Sequence, residues 1–179
     1  MNTKITNMLL RFISPTLNFQ VGEIAKLPIV VPKKDLVKHQ IETLTQQNID
    51  ISKEEWNSRE TSWDFASIEL IKHKSDSNLE TAYANYCDYW KEKHNNLHQN
   101  EEELNRLFID IYELEDELTP EVNLKDTTLL KNEAKIVDDE LVFQANEVMK
   151  QFISYAVGCM FGRYSLDQPG LILANQGES

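Results

Sequence analysis

The sequence predicts a mainly α-helical protein: an elongated module of long, antiparallel, coiled-coil-like helices that follows a short extended N-terminal segment. Two observations predict this fold class. Glycine and proline each occur only five times in 179 residues, whereas an all-β fold needs many turns that use both residue types. Apolar residues also recur every seven positions from Tyr83 to Leu118, which is the repeat of a long helix packed against a partner helix.

The first 33 residues are expected to hold one short helix followed by extended pieces. Residues 3–13 carry apolar side chains at the spacing of one helix face. Ser14-Pro15 ends this helix, because the residue before a proline avoids the helical conformation. Residues 18–21 are expected to be extended and residues 24–27 to form a single helical turn. Pro28–Pro32 is apolar and bounded by prolines, which favours an edge strand.

Three helices are predicted between residues 34 and 71. The first covers residues 34–47, with its apolar side chains on one side. The second begins at Ser52, which has a glutamate, Glu55, three residues later in the pattern of a capping box. It runs to Arg59. A short packed helix with Trp63 among its apolar residues is expected over residues 63–71.

The central heptad repeat is the strongest pattern in the sequence. Residues 94–100 are polar, and Asn100 followed by Glu103 matches the start of a second helix. One continuous helix and two stacked helices therefore both fit the pattern, and Pro120 ends the element in either case. We call the set of heptad positions the seam and expect it to face a partner helix: Tyr83, Trp90, Leu97, Leu104, Ile111 and Leu118.

The last third of the chain is polar and ambiguous at first and is then predicted to be helical. Residues 126–139 show no clear period. Apolar residues return at helical spacing over residues 140–164. Gly158 and Gly162 lie four residues apart in this stretch, a spacing that lets a second helix approach closely. Pro169-Gly170 ends the helical segment.

The charge is unevenly distributed along the chain. The net charge is −12, yet the first 40 residues hold six basic and two acidic side chains, so the remainder carries −16. Such an acidic remainder repels a phosphate backbone. The candidate contacts to a DNA backbone are therefore the lysines near the start of the chain, namely Lys33, Lys34 and Lys38.

Cysteine use and hydropathy bear on the compartment. Cys87 and Cys159 lie far apart in apolar stretches, which favours free thiols in a reducing cytoplasm over a disulfide. No basic-then-apolar leader opens the sequence. The longest apolar run, residues 153–161, is shorter than a membrane span. We therefore expect a soluble, cytoplasmic protein without a membrane partner.

Two sets of polar residues match metal sites loosely. His94 and His98 would share one face of a continuous helix, as zinc ligands can, but their polar neighbours favour a solvated face. The second set is an acidic residue followed by a Glu-x-Lys triplet, the loose pattern of a magnesium nuclease site: Asp126, Glu133 and Lys135. A highly charged chain also produces this pattern by chance. We favour the structural interpretation for both sets and predict no metal site.

Aromatic residues at the start of the seam invite a nucleic-acid interpretation. Tyr83, Tyr86, Tyr89 and Trp90 could stack on bases. Their helical spacing and acidic neighbours favour a packed seam instead. The sequence also lacks a serine–histidine–aspartate arrangement with an elbow glycine, a phosphate-binding glycine loop and any pair of adjacent prolines. We therefore predict no catalytic residues.

Several stretches of the sequence resemble one known family. They are Ile153–Asp167 (ISYAVGCMFGRYSLD) with Pro169–Ala174 (PGLILA), and Leu104–Tyr112 (LNRLFIDIY) with Asp116–Val122 (DELTPEV). In this order they resemble segments of the adenine-specific DNA methyltransferases of BREX phage-defence systems, the PglX family. The opening stretch, Ser14–Ile24 (SPTLNFQVGEI), is similar to the end of the methyltransferase domain in that family.

The resemblance implies a place within a larger protein. The family's catalytic domain precedes this region and its target-recognition region follows. Residues 1–33 would then close the methyltransferase domain, residues 34–167 would form a helical spacer domain, and residues 168–179 would lead toward target recognition. S-adenosylmethionine would be the cofactor of the parent protein and double-stranded DNA its substrate. The family's Asn-Pro-Pro-aromatic motif and glycine-rich cofactor loop are missing here, so no catalytic or cofactor-binding residue is assigned.

These observations leave three function hypotheses. The first is a spacer that positions the catalytic and target-recognition parts of a methyltransferase on DNA. The second is a protein–protein scaffold that docks other phage-defence proteins through the Tyr83–Leu118 helix. The third is a nuclease that uses Asp126, Glu133 and Lys135. We also expect the apolar groups of Ile29–Val31 and Leu171–Leu173 to pack onto neighbours or to make the chain self-associate.

Overall fold

The structure is a computed structural model and describes residues 3–14 and 20–172. Helices dominate it, so the predicted mainly α fold class is confirmed. A single antiparallel hairpin provides the strands that the described residues contain. The elements, in chain order, are α1 (Lys4–Ile13), α2 (Val21–Ile24), α3 (Asp35–Asn57), α4 (Glu69–Lys72), α5 (Leu79–Tyr112), a 3₁₀ helix (Leu124–Asp126), β1 (Ala134–Val137), β2 (Glu140–Phe143) and α6 (Ala145–Met160).

The chain forms two compact units that each combine separate parts of the sequence. Unit 1 comprises Met1–Ile49 and Asn96–Asn123, and unit 2 comprises Asp50–Asn95 and Leu124–Ser179. Helices α3 and α5 both contribute residues to each unit. The roles predicted for residues 1–33, 34–167 and 168–179 concern a larger protein and stay predictions. Residues 173–179 of the last segment lie outside the described residues.

Unit 1 is built on α1 and on antiparallel segments of α3 and α5. Gln40 Nε2 donates to Glu103 Oε1 at 2.8 Å, and Asn100 Nδ2 donates to Asn48 Oδ1 at 2.9 Å. Advancing along α3 therefore means moving backward along α5, which is the antiparallel arrangement that the sequence predicts. The buried Asn105 fixes the start of α1, because its Oδ1 accepts the backbone N–H of Lys4 at 3.0 Å.

The segment between α1 and α3 differs from its predicted structure. The helical turn is α2, at Val21–Ile24 rather than at residues 24–27. Pro28–Pro32 is not a strand. The hydroxyl of Tyr112 replaces a partner strand there: it accepts the N–H of Val30 at 3.2 Å and donates to the carbonyl of Pro28 at 2.7 Å. The extended conformation predicted for residues 18 and 19 lies outside the described residues.

Helix α3 replaces the two helices predicted for residues 34–59. It is one element of 23 residues. Ser52 is an interior residue of this helix and therefore does not begin a second one. The prediction was wrong because the sequence pattern of a capping box also occurs inside helices, where serine costs only about 0.5 kcal/mol relative to alanine.

Helix α5 is continuous over 34 residues, which decides between the two arrangements that the seam left open. The polar stretch at its centre contains side chains that have partners elsewhere in the fold, which is compatible with a continuous helix. His98 Nε2, for example, lies 2.7 Å from the carbonyl oxygen of Val122. The helix ends at Tyr112, before the predicted end at Pro120, because Glu113 adopts the left-handed conformation with a φ of 55°. Leu118 is therefore outside the helix.

Unit 2 contains the hairpin, where the sequence was ambiguous up to residue 139 and predicted a helix from residue 140. Ala134 pairs with Phe143, and Val137 pairs with Glu140. Asp138 and Asp139 form the turn, with φ values of 49° and 59°. Two consecutive left-handed residues are typical of the two-residue turns that match the twist of a hairpin. Residues 140–143 are consequently a strand, and the helix begins at Ala145.

The end of α6 turns sharply and packs back on the helix. Gly162, with a φ of 72°, permits the turn. The ring of Tyr164 then covers Gly158, where an added Cβ would lie 2.6 Å from the Cδ2 of that ring. The close neighbour of Gly158 is therefore an aromatic side chain from the following loop, and the predicted contact with a second helix is wrong at this position.

This contact yields the first testable prediction. We expect Gly158→Ala to lower the free energy of unfolding by about 1–3 kcal/mol, because the new methyl group overlaps the Tyr164 ring. Gly22→Ala is the matched control: no atom lies within 4 Å of its added Cβ, and alanine favours a helix by up to about 1 kcal/mol relative to glycine. Urea denaturation measures both. A Gly158→Ala variant as stable as the parent chain would contradict the described packing.

Candidate functional site

The three lysines predicted to contact DNA lie at the N-terminal end of α3. Lys33 and Lys34 come directly before the helix and Lys38 lies in its first turn, all exposed. The N–H of Lys38 donates to the carbonyl of Lys34 at 3.2 Å, so these two residues are one helical turn apart. Lys38 Nζ lies 3.8 Å from Glu42 Oε1, an exposed pair that contributes little to stability. The structure thus brings the lysines together, and their contact with DNA stays a prediction.

The seam is largely covered by the protein itself. Trp90 is completely buried and Leu97 and Leu104 are nearly so. Tyr83 and Ile111 are half-buried within α5. Each of these three buried residues packs inside its own unit, so the middle of the seam is covered, and docking of a partner through this helix stays a prediction.

The aromatic residues at the start of α5 are likewise packed. Tyr86 is buried, and its ring meets the Phe143 ring edge-on at 6.0 Å. Burial raises the pKa of Tyr83 to about 12, with Cys87 as a further cause. Buried rings cannot stack on bases.

A polar group links α3 to α5 within unit 2. Glu54 accepts hydrogen bonds from the Tyr89 hydroxyl and from Lys93 Nζ, the latter at 2.9 Å. Burial alone would raise the pKa of Glu54, but these two hydrogen bonds and the charge of Lys93 outweigh it and hold that pKa below its usual value. Glu54 is therefore ionised in this group, and its role is to link α3 to α5 within unit 2.

The two histidines do not form a solvated face. His94 is buried, with 1% of its surface exposed. His98 lies beside the Val122 carbonyl and 3.6 Å from Glu102 Oε1. Their neighbourhood looked polar because sequence neighbours on a helix point in different directions. Over residues 3–14 and 20–172, no cluster of three or more histidine, cysteine or acidic side chains is arranged to hold a metal ion.

The three residues of the nuclease pattern differ in exposure: one is buried and the other two are exposed. Glu133 is only 2% exposed, and its Oε2 lies 3.1 Å from Nη2 of Arg59. Gln151 donates to the other carboxylate oxygen. Asp126 and Lys135 are exposed. A carboxylate that is buried and paired in this way balances the charge of Arg59 inside the fold, so the pattern has a structural explanation.

The site that sequence reasoning missed is a cleft in unit 2. It has a volume of about 250 Å³ and lies between residues 60–65 and 163–171. One backbone hydrogen bond joins the two sides of the cleft, from the Gly170 N–H to the Ala66 carbonyl at 2.7 Å. A second, from the Ile172 N–H to the Arg163 carbonyl at 3.0 Å, closes the loop that forms the second side.

Aromatic rings form the floor of the cleft. The Tyr164 ring stacks on Tyr155 at 5.1 Å and meets Phe65 edge-on at 5.4 Å. The guanidinium of Arg163 lies over the Tyr164 ring at 5.0 Å. Trp63, which the sequence predicted to be packed in a helix, is instead fully exposed at the rim. A fully exposed tryptophan beside buried aromatic rings is typical of a binding surface.

A carboxylate completes the cleft. Glu60 Oε2 lies 3.3 Å from the Tyr164 hydroxyl and 3.5 Å from Arg163 Nη2. Burial raises the pKa of Tyr164, and the charge of Glu60 adds to this effect, so the phenol stays protonated and donates to Glu60. The other oxygen, Oε1, is buried and has no hydrogen-bond partner among the described residues. The cleft thus combines apolar surface with a carboxylate that Tyr164 and Arg163 hold in place.

Two features of the sequence pointed to this cleft. Trp63 stands in the stretch Glu60-Thr-Ser-Trp-Asp-Phe65, where its polar neighbours give it no apolar helix face to join. Arg163 and Tyr164 belong to the stretch that carries the family resemblance. Neither signal reveals that the two stretches meet, because the meeting depends on the turn at Gly162.

Comparison with known proteins gives relatives over almost the whole chain, although no family model matches it. The adenine-specific methyltransferase PglX of Lacticaseibacillus casei (strain Zhang) is 37% identical over 178 residues, which cover 97% of this chain. The adenine-specific methyltransferase BrxX of Escherichia coli O9:H4 (strain HS) is 34% identical over 183 residues, which cover 99%. The predicted resemblance to adenine-specific methyltransferases is therefore confirmed. The chain spans only 14% of the length of each relative.

Proposed function

We propose that this chain is a non-catalytic segment of an adenine-specific DNA methyltransferase of the PglX family and acts there as a helical spacer. It would position the catalytic and target-recognition parts of the parent protein on double-stranded DNA. The parent protein would use S-adenosylmethionine and work in the cytoplasm alongside other phage-defence proteins. The observation that carries the proposal is the similarity to two such methyltransferases over at least 97% of this chain.

The helical architecture supports a positioning role. Helix α5 is unbroken for 34 residues and contributes to both compact units. An α-helix rises 1.5 Å per residue with little variation, whereas a flexible linker samples many end-to-end distances. A methyltransferase that extrudes its target base needs its recognition and catalytic parts in register on the duplex.

The side-chain chemistry supports a segment that does not catalyse by itself. The acidic residues Glu54, Glu69 and Glu133 are each paired with a cation in the fold. No helix within the described residues is long and apolar enough to cross a membrane. These features suit a structural element of a larger enzyme.

A change in the length of α5 tests the spacer role. In the full-length parent protein, four alanines inserted after Asn96 should lower DNA methylation at least tenfold, because they lengthen the helix by about 6 Å. Binding of S-adenosylmethionine, which involves other parts of the protein, should be retained. The same insertion in the exposed Ser75–Asn78 turn is the control and should leave methylation near its original level. Full methylation by the α5 variant would refute a positioning role.

The lysines at the start of α3 provide a second test. We expect this chain to bind a short DNA duplex at low salt, and the triple change of Lys33, Lys34 and Lys38 to alanine to weaken binding and flatten the salt dependence. Three lost phosphate contacts reduce the slope of log K against log salt by about 3. The control replaces three exposed lysines of unit 2, namely Lys91, Lys131 and Lys135.

Salt titrations of both triple variants measure the effect. Equal weakening in the two variants, or no binding by the parent chain at low salt, would show that these lysines do not contact DNA.

A further inference from the structure

The cleft in unit 2 offers an apolar surface with acidic surroundings. Trp63 is fully exposed and Leu171 is about half exposed, so their apolar surface faces water at the rim. Glu60 and Arg163 both line the cleft and form an ion pair at 3.5 Å, so their charges offset each other. Asp64 lies exposed between two of the lining residues and adds a negative charge at the rim. Residues 50–95 and 124–179 together hold 18 acidic and 11 basic side chains, a net charge of −7. Charge complementarity therefore favours a basic, apolar ligand over a phosphate.

Such a ligand is present in the chain itself. The segment Leu27–Lys34 (LPIVVPKK) combines apolar residues, two prolines and two lysines. Ile29 is 84% exposed and Val31 is 68% exposed. The segment has no strand partner in the described structure, and its backbone is held at Pro28 and Val30 by the Tyr112 hydroxyl. It is thus an extended segment that is already ordered and presents its apolar side chains outward.

Aromatic clefts of this kind suit proline-bounded segments. Domains that bind such segments use exposed aromatic rings to contact the prolines and apolar residues of an extended, low-entropy chain. Neighbouring carboxylates then select basic residues that flank the prolines. Trp63, Phe65 and Tyr164 provide the rings. Asp64 provides an exposed carboxylate for Lys33 or Lys34, and a lysine can also lie over the Trp63 ring.

We propose that the chain self-associates head to tail, with segment Leu27–Lys34 of one copy bound in the Trp63–Arg163 cleft of a second copy. The two surfaces differ, so the interface is heterologous and leaves one cleft and one segment free in each dimer. Longer assemblies therefore form as the concentration rises. The proposal does not depend on methyltransferase function, because both surfaces belong to this chain.

Complementation between variants tests the proposal. Trp63→Ala removes the rim of the cleft, and the double change of Ile29→Asp and Val31→Asp removes the apolar face of the segment. All three side chains are exposed, so both variants should keep the helical circular-dichroism signal of the parent chain. Val21→Asp and Met160→Asp are the controls, since both residues are also exposed but lie outside the two surfaces.

Sedimentation equilibrium over a concentration series gives the readout. The parent chain should associate, and each of the two variants should associate at least tenfold more weakly, while the controls behave like the parent chain. Mixing the two variants should restore a dimer and nothing larger, because the intact cleft of one binds the intact segment of the other.

Several results would overturn the proposal. They are a parent chain that remains monomeric at every concentration, controls that weaken association as much as the two variants do, and a mixture of the variants that stays monomeric. If the variants mix to form assemblies larger than a dimer, the association uses other surfaces and the proposal is also refuted.

Discussion

The burial of one face of α5 is the constraint on which the rest of the structure depends. Trp90 lies at the centre of unit 2, and Leu97 and Leu104 are buried in unit 1. Burying a large apolar side chain contributes about 1.5–3 kcal/mol, whereas an isolated helix gains little from its own hydrogen bonds in water. The polar centre of α5 therefore stays helical because the apolar residues on either side are packed and because His98 and Asn100 have partners.

The surrounding elements satisfy the polar and charged groups that this packing encloses. Asn105 and His98, both on α5, contact the backbone of other segments of unit 1. Asn105 accepts the N–H of Lys4, and His98 lies against the carbonyl of Val122. In unit 2, Glu133 is almost removed from water and balances Arg59, which is partly exposed. Such pairs contribute little net stability, but a missing partner leaves an uncompensated buried charge that costs about 3–5 kcal/mol. Glu133 also accepts from Gln151 of α6, so this group ties the residues next to β1 and α3 to α6 inside unit 2.

The sequence predicts those parts of the fold that depend on local periodicity. The seven-residue repeat locates α5, and the apolar positions of residues 34–47 locate the first half of α3. Sequence reasoning misplaces a helix boundary where the conformation of a single residue determines it. Ser52 resembles a cap yet lies inside a helix, and Glu113 ends α5 through a backbone conformation that glutamate rarely adopts. The hairpin was missed because its turn depends on the left-handed conformation of Asp138 and Asp139.

The cleft was beyond sequence reasoning for a different reason. Its walls come from residues about 100 positions apart, and they meet only after Gly162 has reversed the chain and Tyr164 has packed on Gly158. The family resemblance, by contrast, was readable because it rests on contiguous stretches such as Leu104–Tyr112. The relationship to the family is therefore visible in the sequence, while the cleft is visible only in three dimensions.

Amide hydrogen exchange along α5 tests the central claim most directly. If one packed helix joins Leu79 to Tyr112, the amides of residues 94–100 should be protected to a similar degree as those around Trp90 and Leu104, because they open only with the whole helix. Rapid exchange confined to residues 94–100, between two protected segments, would show two separate helices. It would contradict both the continuous α5 and the spacer role that depends on it.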